Sequence, residues 1–479
     1  MLVPIQLVLL LPFALATNPQ IHFGTASSNS DSVHRLSFAS RAALEAARDR
    51  LEALEVDVWR AGYDQQSRAW QLVAPLGSSP LLPSALDAHA QMLIPSISGL
   101  LAQPAYDALQ LAALSNASIR ARSALDSSAS AIHDTYHPFD NLQTLMTEFE
   151  QRWGNEWITR DSIGKSWQGN DLTVVTLSHR STHSPSTVDA DSDDGDDEEL
   201  GLATSKKRKK PSRDRGKIGI VVYGAQHARE WISTSTIVYM MHNLLLHREQ
   251  DPLVRQLLDR VEFSFVPVVN PDGYKYTWES PSNRLWRKSR QPVSPDCVGI
   301  DLNRNWNYSF PQPSAVGCSD SFPGSEPFES IELQRLSDWL IRKSSRDSQI
   351  REGSARVRAV LDLHSFGEML LYPFSSDCSQ PPPNAENLLE SLLSASKALK
   401  SVHGRSWQVG ESCQVGIRGG GEGLDWAYER AGIPWSFTAQ LRDSGIYGFL
   451  LPPSQIRPSG EEFYAALKQL AKFIVEVRT

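Results

Sequence analysis

The second half of the chain alternates between apolar segments and segments whose apolar residues recur at helical spacing. Residues 218–223, 261–269 and 357–363 are apolar-rich runs, the kind found in strands that are buried on both faces of a sheet. Residues 172–177 form a further strand-like segment. Helical spacing occurs at residues 142–153, 233–247, 331–343, 385–399 and 460–477. The alternation predicts an α/β domain with a mixed, largely parallel sheet covered by helices.

The first part of the chain predicts a smaller unit. Residues 34–38, 56–59 and 92–95 are strand-like, whereas residues 41–54 and about 86–91 are helix-like. Strands that alternate with helices over so short a segment predict a small α+β sandwich. A linker rich in Ser, Ala and Arg follows at residues 115–130. We therefore predict a small domain with its linker at residues 17–125 and the α/β domain at residues 126–479.

The N-terminus has the pattern of a targeting signal. Residues 1–16 (MLVPIQLVLLLPFALA) have an apolar core and end in Ala-Leu-Ala. This pattern is typical of a secretory signal peptide, with cleavage expected after Ala16, and a buried N-terminal helix is the alternative. No later stretch reaches the ~20 apolar residues that a transmembrane helix needs. We therefore expect a secreted chain without stable membrane insertion.

Charge is concentrated in one internal segment. Residues 189–199 are almost wholly acidic, and residues 206–210 (KKRKK) are wholly basic. Charge blocks of this density cannot form a hydrophobic core, so we predict a disordered loop at residues 183–217. A polyanion-binding patch and a dibasic processing site are alternatives for the basic run. The formal net charge of −8 argues against nucleic acid as a partner.

Four cysteines suit an oxidising compartment. An even number in a secreted chain predicts two disulfides, although four cysteines allow three pairings. Pairing of nearest neighbours, Cys297 with Cys318 and Cys378 with Cys413, closes the shortest loops and is the pairing that we predict. Asn116 and Asn307 each begin an Asn-x-Ser triplet, which makes them candidate glycosylation sites in the same compartment.

Two histidines and a glutamate follow the ends of predicted strands. His227 and Glu230 are three residues apart and come directly after the apolar run at residues 218–223. His364 comes directly after the run at residues 357–363. Two histidines and one carboxylate with an open fourth position are typical of a catalytic zinc site. The spacing alone is a weak signal, since the fold must bring the two strand ends together.

Five further motifs occur in order along the chain. They are residues 269–273 (VNPDG), 283–288 (NRLWRK), 301–306 (DLNRNW), 371–373 (LYP) and 441–452 (LRDSGIYGFLLP). Together they resemble the pancreatic-type zinc metallocarboxypeptidase family, from about residue 136 to the C-terminus. The small domain resembles the activation domain, or prodomain, of that family, most clearly at residues 54–59 (LEVDVW). The resemblance implies a carboxypeptidase fold and one zinc ion per chain.

The resemblance assigns the residues nearest the chemistry. His227, Glu230 and His364 match the family's zinc ligands. Arg287 matches the arginine that polarises the scissile carbonyl and stabilises the oxyanion, a role that suits a fixed cation in a dry site.

Other matching residues bind the substrate in the family. Asn303 and Arg304 match the pair that binds the terminal carboxylate, which a guanidinium can hold through two parallel hydrogen bonds. Arg229 matches an accessory subsite contact. Leu424 occupies the position that sets preference for the last side chain, where an apolar residue implies a hydrophobic or aromatic C-terminal residue.

Two departures from the family predict that the catalytic step is lost. Gln440 stands where active members carry the glutamate that accepts the proton of the attacking water. An amide cannot hold that proton, and general acid–base catalysis contributes about 10²–10⁴-fold. Ile417 stands where active members carry a tyrosine that caps the substrate, and no tyrosine lies between Trp407 and Trp426.

This pattern resembles the fungal inactive metallocarboxypeptidase-like proteins of the extracellular-mutant class. The resemblance implies a role in cell wall organisation or biogenesis, outside the cell or in the vacuolar lumen. The first hypothesis is a monomeric pseudo-enzyme that binds zinc and peptide C-termini. The second is a slow carboxypeptidase in which Glu422 or Glu411 serves as the base, because the adjacent glycines would let the loop move. The third is an interaction protein that acts through residues 183–217 and its outer surface.

Overall fold

The computed structural model of the chain describes residues 32–54, 56–64, 67–76, 86, 88–101, 132–180, 216–311, 317–345, 355–416 and 418–477. Several predicted features lie outside these residues: the signal peptide, the linker with Asn116 and the predicted boundary at residue 125, Ile417, and residues 183–215 of the charged loop. Among the described residues, no helix combines the length and the apolar composition needed to cross a membrane.

A four-stranded antiparallel sheet with one long helix forms the N-terminal unit. Its elements are β1 (Val33–Phe38), α1 (Arg41–Ala53), β2 (Arg60–Asp64), β3 (Ala69–Pro75), β4 (His89–Ile94) and the short α2 (Ile97–Leu101). The strands lie in the order β2-β3-β1-β4. Ser40 caps α1 by accepting a hydrogen bond from the Ala43 amide at 3.2 Å. Leu44 and Leu51 of α1 pack against Leu36 and Leu72 of the sheet, which gives this unit its own core.

Two predictions for this unit are wrong. The helix predicted at about residues 86–91 does not form: residues 89–91 begin strand β4, which pairs antiparallel with β1. β4 is an edge strand with one buried residue among its six, so hydrogen bonding to β1 determines its structure where the side-chain pattern does not. The strand predicted at residues 56–59 is an irregular segment, and β2 begins one residue later at Arg60.

An eight-stranded sheet forms the centre of the C-terminal unit. Its strands are β5 (Ile158–Lys165), β6 (Asp171–Leu177), β7 (Ile218–Gly224), β8 (Val261–Val266), β9 (Arg356–Ser365), β10 (Met369–Tyr372), β11 (Gln408–Glu411) and β12 (Trp435–Leu441). They lie in the order β11-β10-β12-β9-β7-β8-β6-β5. The central strands β12, β9, β7 and β8 are parallel, as are β10 and β11, whereas β10–β12, β8–β6 and β6–β5 are antiparallel. The sheet is therefore mixed, as predicted.

Helices cover both faces of this sheet. They are α3 (Phe139–Trp153), α4 (Trp231–Leu246), α5 (Pro252–Arg260), α6 (Pro271–Glu279), α7 (Ile331–Ser344), α8 (Ala385–His403), α9 (Ser412–Val415), α10 (Gly423–Glu429) and α11 (Ile456–Val477). Two large clusters of buried apolar residues lie between the sheet and the helices, one on each side. The first two apolar-rich strands of the prediction are buried on both faces as expected: β7 and β8 have no exposed residue. β8 ends at Val266 because Pro267 has no amide to continue the ladder.

Two disulfides tie loops of the C-terminal unit. They join Cys297 to Cys318 and Cys378 to Cys413, the pairing of nearest neighbours. The second connects the loop after β10 to α9. Asn307, the candidate glycosylation site within the described residues, has an exposed side chain.

A buried ion pair connects β12 to the C-terminal helix. Arg442 directly follows β12, and its Nε donates to Oε2 of Glu462 on α11 at 2.8 Å, while Nη2 donates to the other oxygen. Its Nη1 donates to the Gln455 side chain at 2.7 Å. Both charges are buried, so each depends on the other for compensation.

Glu462→Gln should destabilise the chain by about 3 kcal/mol or more, because it leaves the Arg442 charge buried and unpaired. Chemical denaturation of both proteins measures the difference in the free energy of unfolding. Glu476→Gln, an exposed change on the same helix, is the control and should have an effect within about 0.5 kcal/mol. Equal loss in the two variants would show that the buried pair has no special role.

Candidate functional site

Two neighbouring parallel strands end at the candidate site. β7 and β9 pair in parallel, with Gly224 opposite Leu363. His227 follows the end of β7, and His364 lies at the end of β9. Because the carboxyl ends of parallel strands meet at the same edge of a sheet, both histidines lie at that edge.

His227, Glu230 and His364 converge on one point. One ligand atom of each lies within 4.8 Å of the other two, and all three residues are buried. Nδ1 of His227 is 2.8 Å from Oε1 of Glu230, and Nδ1 of His364 is 3.0 Å from Oε2 of the same carboxylate. The two Nδ1 atoms are 3.2 Å apart. The three side chains therefore form one compact set of nitrogen and oxygen donors.

A second carboxylate holds each histidine from behind. Nε2 of His227 is 3.0 Å from Oδ1 of Asp301, and Nε2 of His364 is 2.9 Å from Oδ2 of Asp362. These contacts favour a proton on Nε2, which leaves the Nδ1 lone pairs directed at the centre of the cluster. Asp362 also accepts a hydrogen bond from the Gln226 side chain at 2.6 Å, so its own position is fixed.

The buried carboxylates give this cluster a need for positive charge. Burial raises the pKa of the Glu230 carboxyl, but His227 and His364 outweigh burial and hold that pKa well below its usual value. Burial lowers the pKa of His364, but Asp362 and Glu230 outweigh it and raise that pKa well above the usual value. A cation bound among the three side chains would compensate the buried negative charge of these carboxylates.

Arg287 lies beside the cluster with a fixed orientation. Its Nε and Nη2 donate to Oδ2 of Asp301 at 3.2 and 2.9 Å. Burial lowers the pKa of the Arg287 guanidinium, but the nearby carboxylates of Asp301 and Glu230 raise that pKa by a larger amount. The net effect is a pKa above the usual value, so the side chain stays charged. Asp301 thus positions both Arg287 and His227.

Asn303 and Arg304 both contact the N-terminal end of α10. Nη1 of Arg304 donates to Oε1 of Glu422 at 2.6 Å. Oδ1 of Asn303 accepts a hydrogen bond from the Gly423 amide at 3.0 Å. The two residues that match a carboxylate-binding pair therefore have partners within the chain.

Gln440 reaches the site from the next strand. β12 pairs in parallel with β9, and Gln440 lies opposite His364 in register. Residues opposite each other on parallel neighbours have side chains on the same face of the sheet. Gln440 therefore faces the donor cluster at the position where the sequence predicted a lost base.

A cavity of about 130 Å³ lies over this edge of the sheet. The predicted site residues on its wall are His227, Glu230, Arg287, Asn303, Arg304, His364 and Gln440. The N-terminal unit forms the opposite wall with Arg48, Glu52 and residues 56–61. The site is therefore a cleft that the N-terminal unit covers.

Asp57 and Trp59 connect the N-terminal unit to the rim of the cleft. Nη2 of Arg229 donates to Oδ1 of Asp57 at 3.0 Å, and its Nη1 contacts the other oxygen. Trp59 packs against Phe366 and Phe449, with ring centroids 6.4 and 5.1 Å away. An ion pair and an aromatic cluster thus hold the N-terminal unit over the cleft.

Some predicted site residues lie away from the cavity wall. Arg229 is fully buried beneath Asp57, with its guanidinium 4.1 Å from the ring centre of Phe449. Leu424 is 2% exposed within α10. Ile417, the other predicted departure from the family, lies outside the described residues.

The second hypothesis requires the loop around residue 420 to move, and in this structure the glycines of that loop pack closely against the rest of the chain. A Cβ on Gly420 would lie 1.8 Å from the Ser309 carbonyl oxygen, so this loop packs tightly against the 304–309 segment. The Glu422 carboxylate is bound to Arg304, and Glu411, which is not on the cavity wall, accepts a hydrogen bond from Gln414. Neither carboxylate is placed to act as a substitute base.

Sequence reasoning missed the residues that surround the donor cluster. Asp301 begins the DLNRNW motif, and Asp362 lies two residues before His364. Residues two apart on a strand point to the same face, so the spacing of Asp362 was a usable signal. The pairing of Glu422 with Arg304 had no such signal, since 118 residues separate them.

The sequence profile described as zinc carboxypeptidase (Peptidase M14) matches residues 145–466. A protein of Ajellomyces dermatitidis, named inactive metallocarboxypeptidase ECM14, is 34% identical over 333 residues, 66% of this chain and 50% of that protein. The chain thus spans about half the length of that relative. A protein of the same name from Talaromyces stipitatus is 31% identical over 468 residues, 93% of this chain and 73% of that protein.

Two solved structures share the fold. The thrombin activatable fibrinolysis inhibitor has a TM-score of 0.70 at 23% identity, covering 93% of this chain and 99% of its own. Carboxypeptidase A from Helicoverpa armigera has a TM-score of 0.72 at 23% identity, covering 94% and 99%. Both likenesses extend over the N-terminal and C-terminal units together.

Proposed function

The chain belongs to the zinc carboxypeptidase family, and from that premise we propose that it binds zinc but has lost the hydrolytic step. The observation that carries the proposal is the contrast between the donor cluster and its neighbour on β12. His227, Glu230 and His364 converge with their Nδ1 and carboxylate atoms inward, while Gln440 faces them in place of a base. The relatives named inactive metallocarboxypeptidase support the same reading.

The donor set fits zinc. Two imidazole nitrogens and a carboxylate oxygen are common zinc ligands and leave a fourth position open. Asp301 and Asp362 provide the carboxylate contacts behind the histidines that such sites commonly have. The cluster also needs positive charge, which a divalent cation would supply. We therefore propose that His227, Glu230 and His364 hold one zinc ion per chain.

Zinc bound here would supply Lewis-acid polarisation of a carbonyl oxygen and of water. The remaining functional groups of the cleft are side chains of the protein itself. Arg287, fixed by Asp301, holds a cation where an oxyanion would form. Asn303 and Arg304 line the cleft and provide the amide and the guanidinium that a C-terminal carboxylate would contact. Gln440 can accept a hydrogen bond but cannot hold a proton, so proton transfer from water to a leaving amine has no carrier.

We further propose that the protein is a secreted monomer that acts outside the cell or in the vacuolar lumen, in cell wall organisation or biogenesis. The apolar N-terminal segment and the two disulfides support an oxidising compartment. N-terminal sequencing of the protein from culture medium tests secretion: the proposal expects the chain to begin at Thr17 or later, and a chain that is retained in the cytosol would contradict it.

Asp362→Asn should lower zinc affinity by about 10–100-fold, because His364 loses the carboxylate that holds its Nε2–H. Competition with a chromophoric chelator at constant pH measures the affinity. Asp161→Asn, an exposed change of the same type, is the control and should leave zinc affinity unchanged. Less than one zinc per wild-type chain under saturating conditions would contradict the proposed metal site.

Gln440→Glu combined with Ile417→Tyr should create carboxypeptidase activity, with a gain of about 10²–10⁴-fold from the restored base. The measurement is release of phenylalanine from a peptide by zinc-loaded protein, before and after limited proteolysis between the two units. The wild type should release none. Release by the wild type that a chelator abolishes would mean that another residue supplies the base, and the protein would be a carboxypeptidase.

A further inference from the structure

We propose that Glu422 is an internal substitute for a ligand carboxylate at Arg304, so that a peptide C-terminus binds only by displacing it. The inference rests on the proposed function for the identity of the ligand and deepens it by assigning a specificity-determining residue. It predicts that the cleft, unlike a carboxylate-selective site, discriminates poorly between a free C-terminal carboxylate and a C-terminal amide.

The Glu422 carboxylate occupies the partner position of the arginine. Oε1 of Glu422 is 2.6 Å from Nη1 of Arg304, and the two side chains are 14% and 21% exposed. The Gly423 amide donates to Oδ1 of Asn303 at 3.0 Å. Adjacent residues of one segment thus contact both members of the carboxylate-binding pair. Glu422 and Arg304 both line the cavity, so the contact lies inside the cleft.

The backbone holds this segment against Arg304. The Trp306 amide donates to the Gly421 carbonyl at 3.0 Å, and the Gly421 amide donates to the Tyr308 carbonyl at 2.9 Å. Gly421 has a φ of +70°, and a Cβ there would lie 1.9 Å from the Arg304 carbonyl oxygen. A glycine is therefore required for this close approach. The backbone contacts of this loop therefore fix where Glu422 leaves the main chain, next to Arg304.

The charges of the cleft favour the internal pair. Burial lowers the pKa of Arg304, but Glu422 and Asp301 raise it above its usual value, so the guanidinium is charged and paired. Arg287 is paired with Asp301, and Arg229 is paired with Asp57. A ligand carboxylate that approached Arg304 would also meet the negative charge of Glu422. Its ion pair with Arg304 would replace an existing one, which leaves little net gain in affinity.

The test compares N-acetyl-phenylalanine with N-acetyl-phenylalaninamide, titrated calorimetrically into the zinc-loaded full-length chain. For the wild type, we expect the two dissociation constants to agree within about threefold. For Glu422→Gln and Glu422→Ala, the acid should bind roughly tenfold tighter than the amide, because a hydrogen bond to a charged group becomes available. Adding Arg304→Gln to either variant should remove the gain. Glu429→Gln, an exposed change on α10, should behave as the wild type.

Two results would overturn the inference. The first is a wild type that already binds the acid at least tenfold more tightly than the amide. The second is a pair of Glu422 variants whose affinity for the acid does not increase, and variants that do not bind the acid at all count as this result. Circular dichroism and zinc content show that each variant is folded and loaded. The failure of the proposed function is a separate result, because it appears as missing zinc or as hydrolysis by the wild type.

Discussion

The compensation of buried charge is the constraint on which the rest of the cleft depends. A dry site can hold carboxylates and guanidinium groups only if each has a partner of opposite charge within hydrogen-bonding distance. In the donor cluster, Asp301 and Asp362 hold the two histidines from behind, and a cation bound among His227, Glu230 and His364 would compensate the buried negative charge. Asp301 also accepts hydrogen bonds from Arg287, so one buried carboxylate positions both this guanidinium and the candidate metal ligand His227. The removal of any of these groups would leave a charge without compensation.

The same need for charge compensation connects the N-terminal unit, which covers the cleft, to buried residues of the C-terminal unit. Asp57 of the N-terminal unit supplies the carboxylate that the fully buried Arg229 needs. Glu422 does the same for Arg304 from within the C-terminal unit. An active carboxypeptidase must leave a cation free for its substrate, whereas a protein without turnover has no such requirement. The loss of the base at Gln440 and the internal pairing of Arg304 are therefore compatible features of one site.

The sequence predicted the mixed sheet, and it singled out the three residues that converge at one edge of that sheet, because both follow from local patterns. The buried central strands are rich in apolar residues, and the residues at their carboxyl ends lie at one sheet edge, which located His227 and His364. The first half of edge strand β4 was mispredicted because only one of its six residues is buried and pairing with β1 determines its structure. The partners of Arg287, Arg304 and Arg229 could not be predicted, since such contacts depend on how loops distant in sequence pack together.

The most direct test of the account is a crystal structure of the zinc-loaded chain, with anomalous data collected on both sides of the zinc absorption edge. The account predicts one anomalous peak among His227, Glu230 and His364, with the Gln440 amide facing it and Glu422 on Arg304. A zinc peak at another place, or a carboxylate within hydrogen-bonding distance of the open zinc position, would contradict the claim that this site keeps the metal without the base.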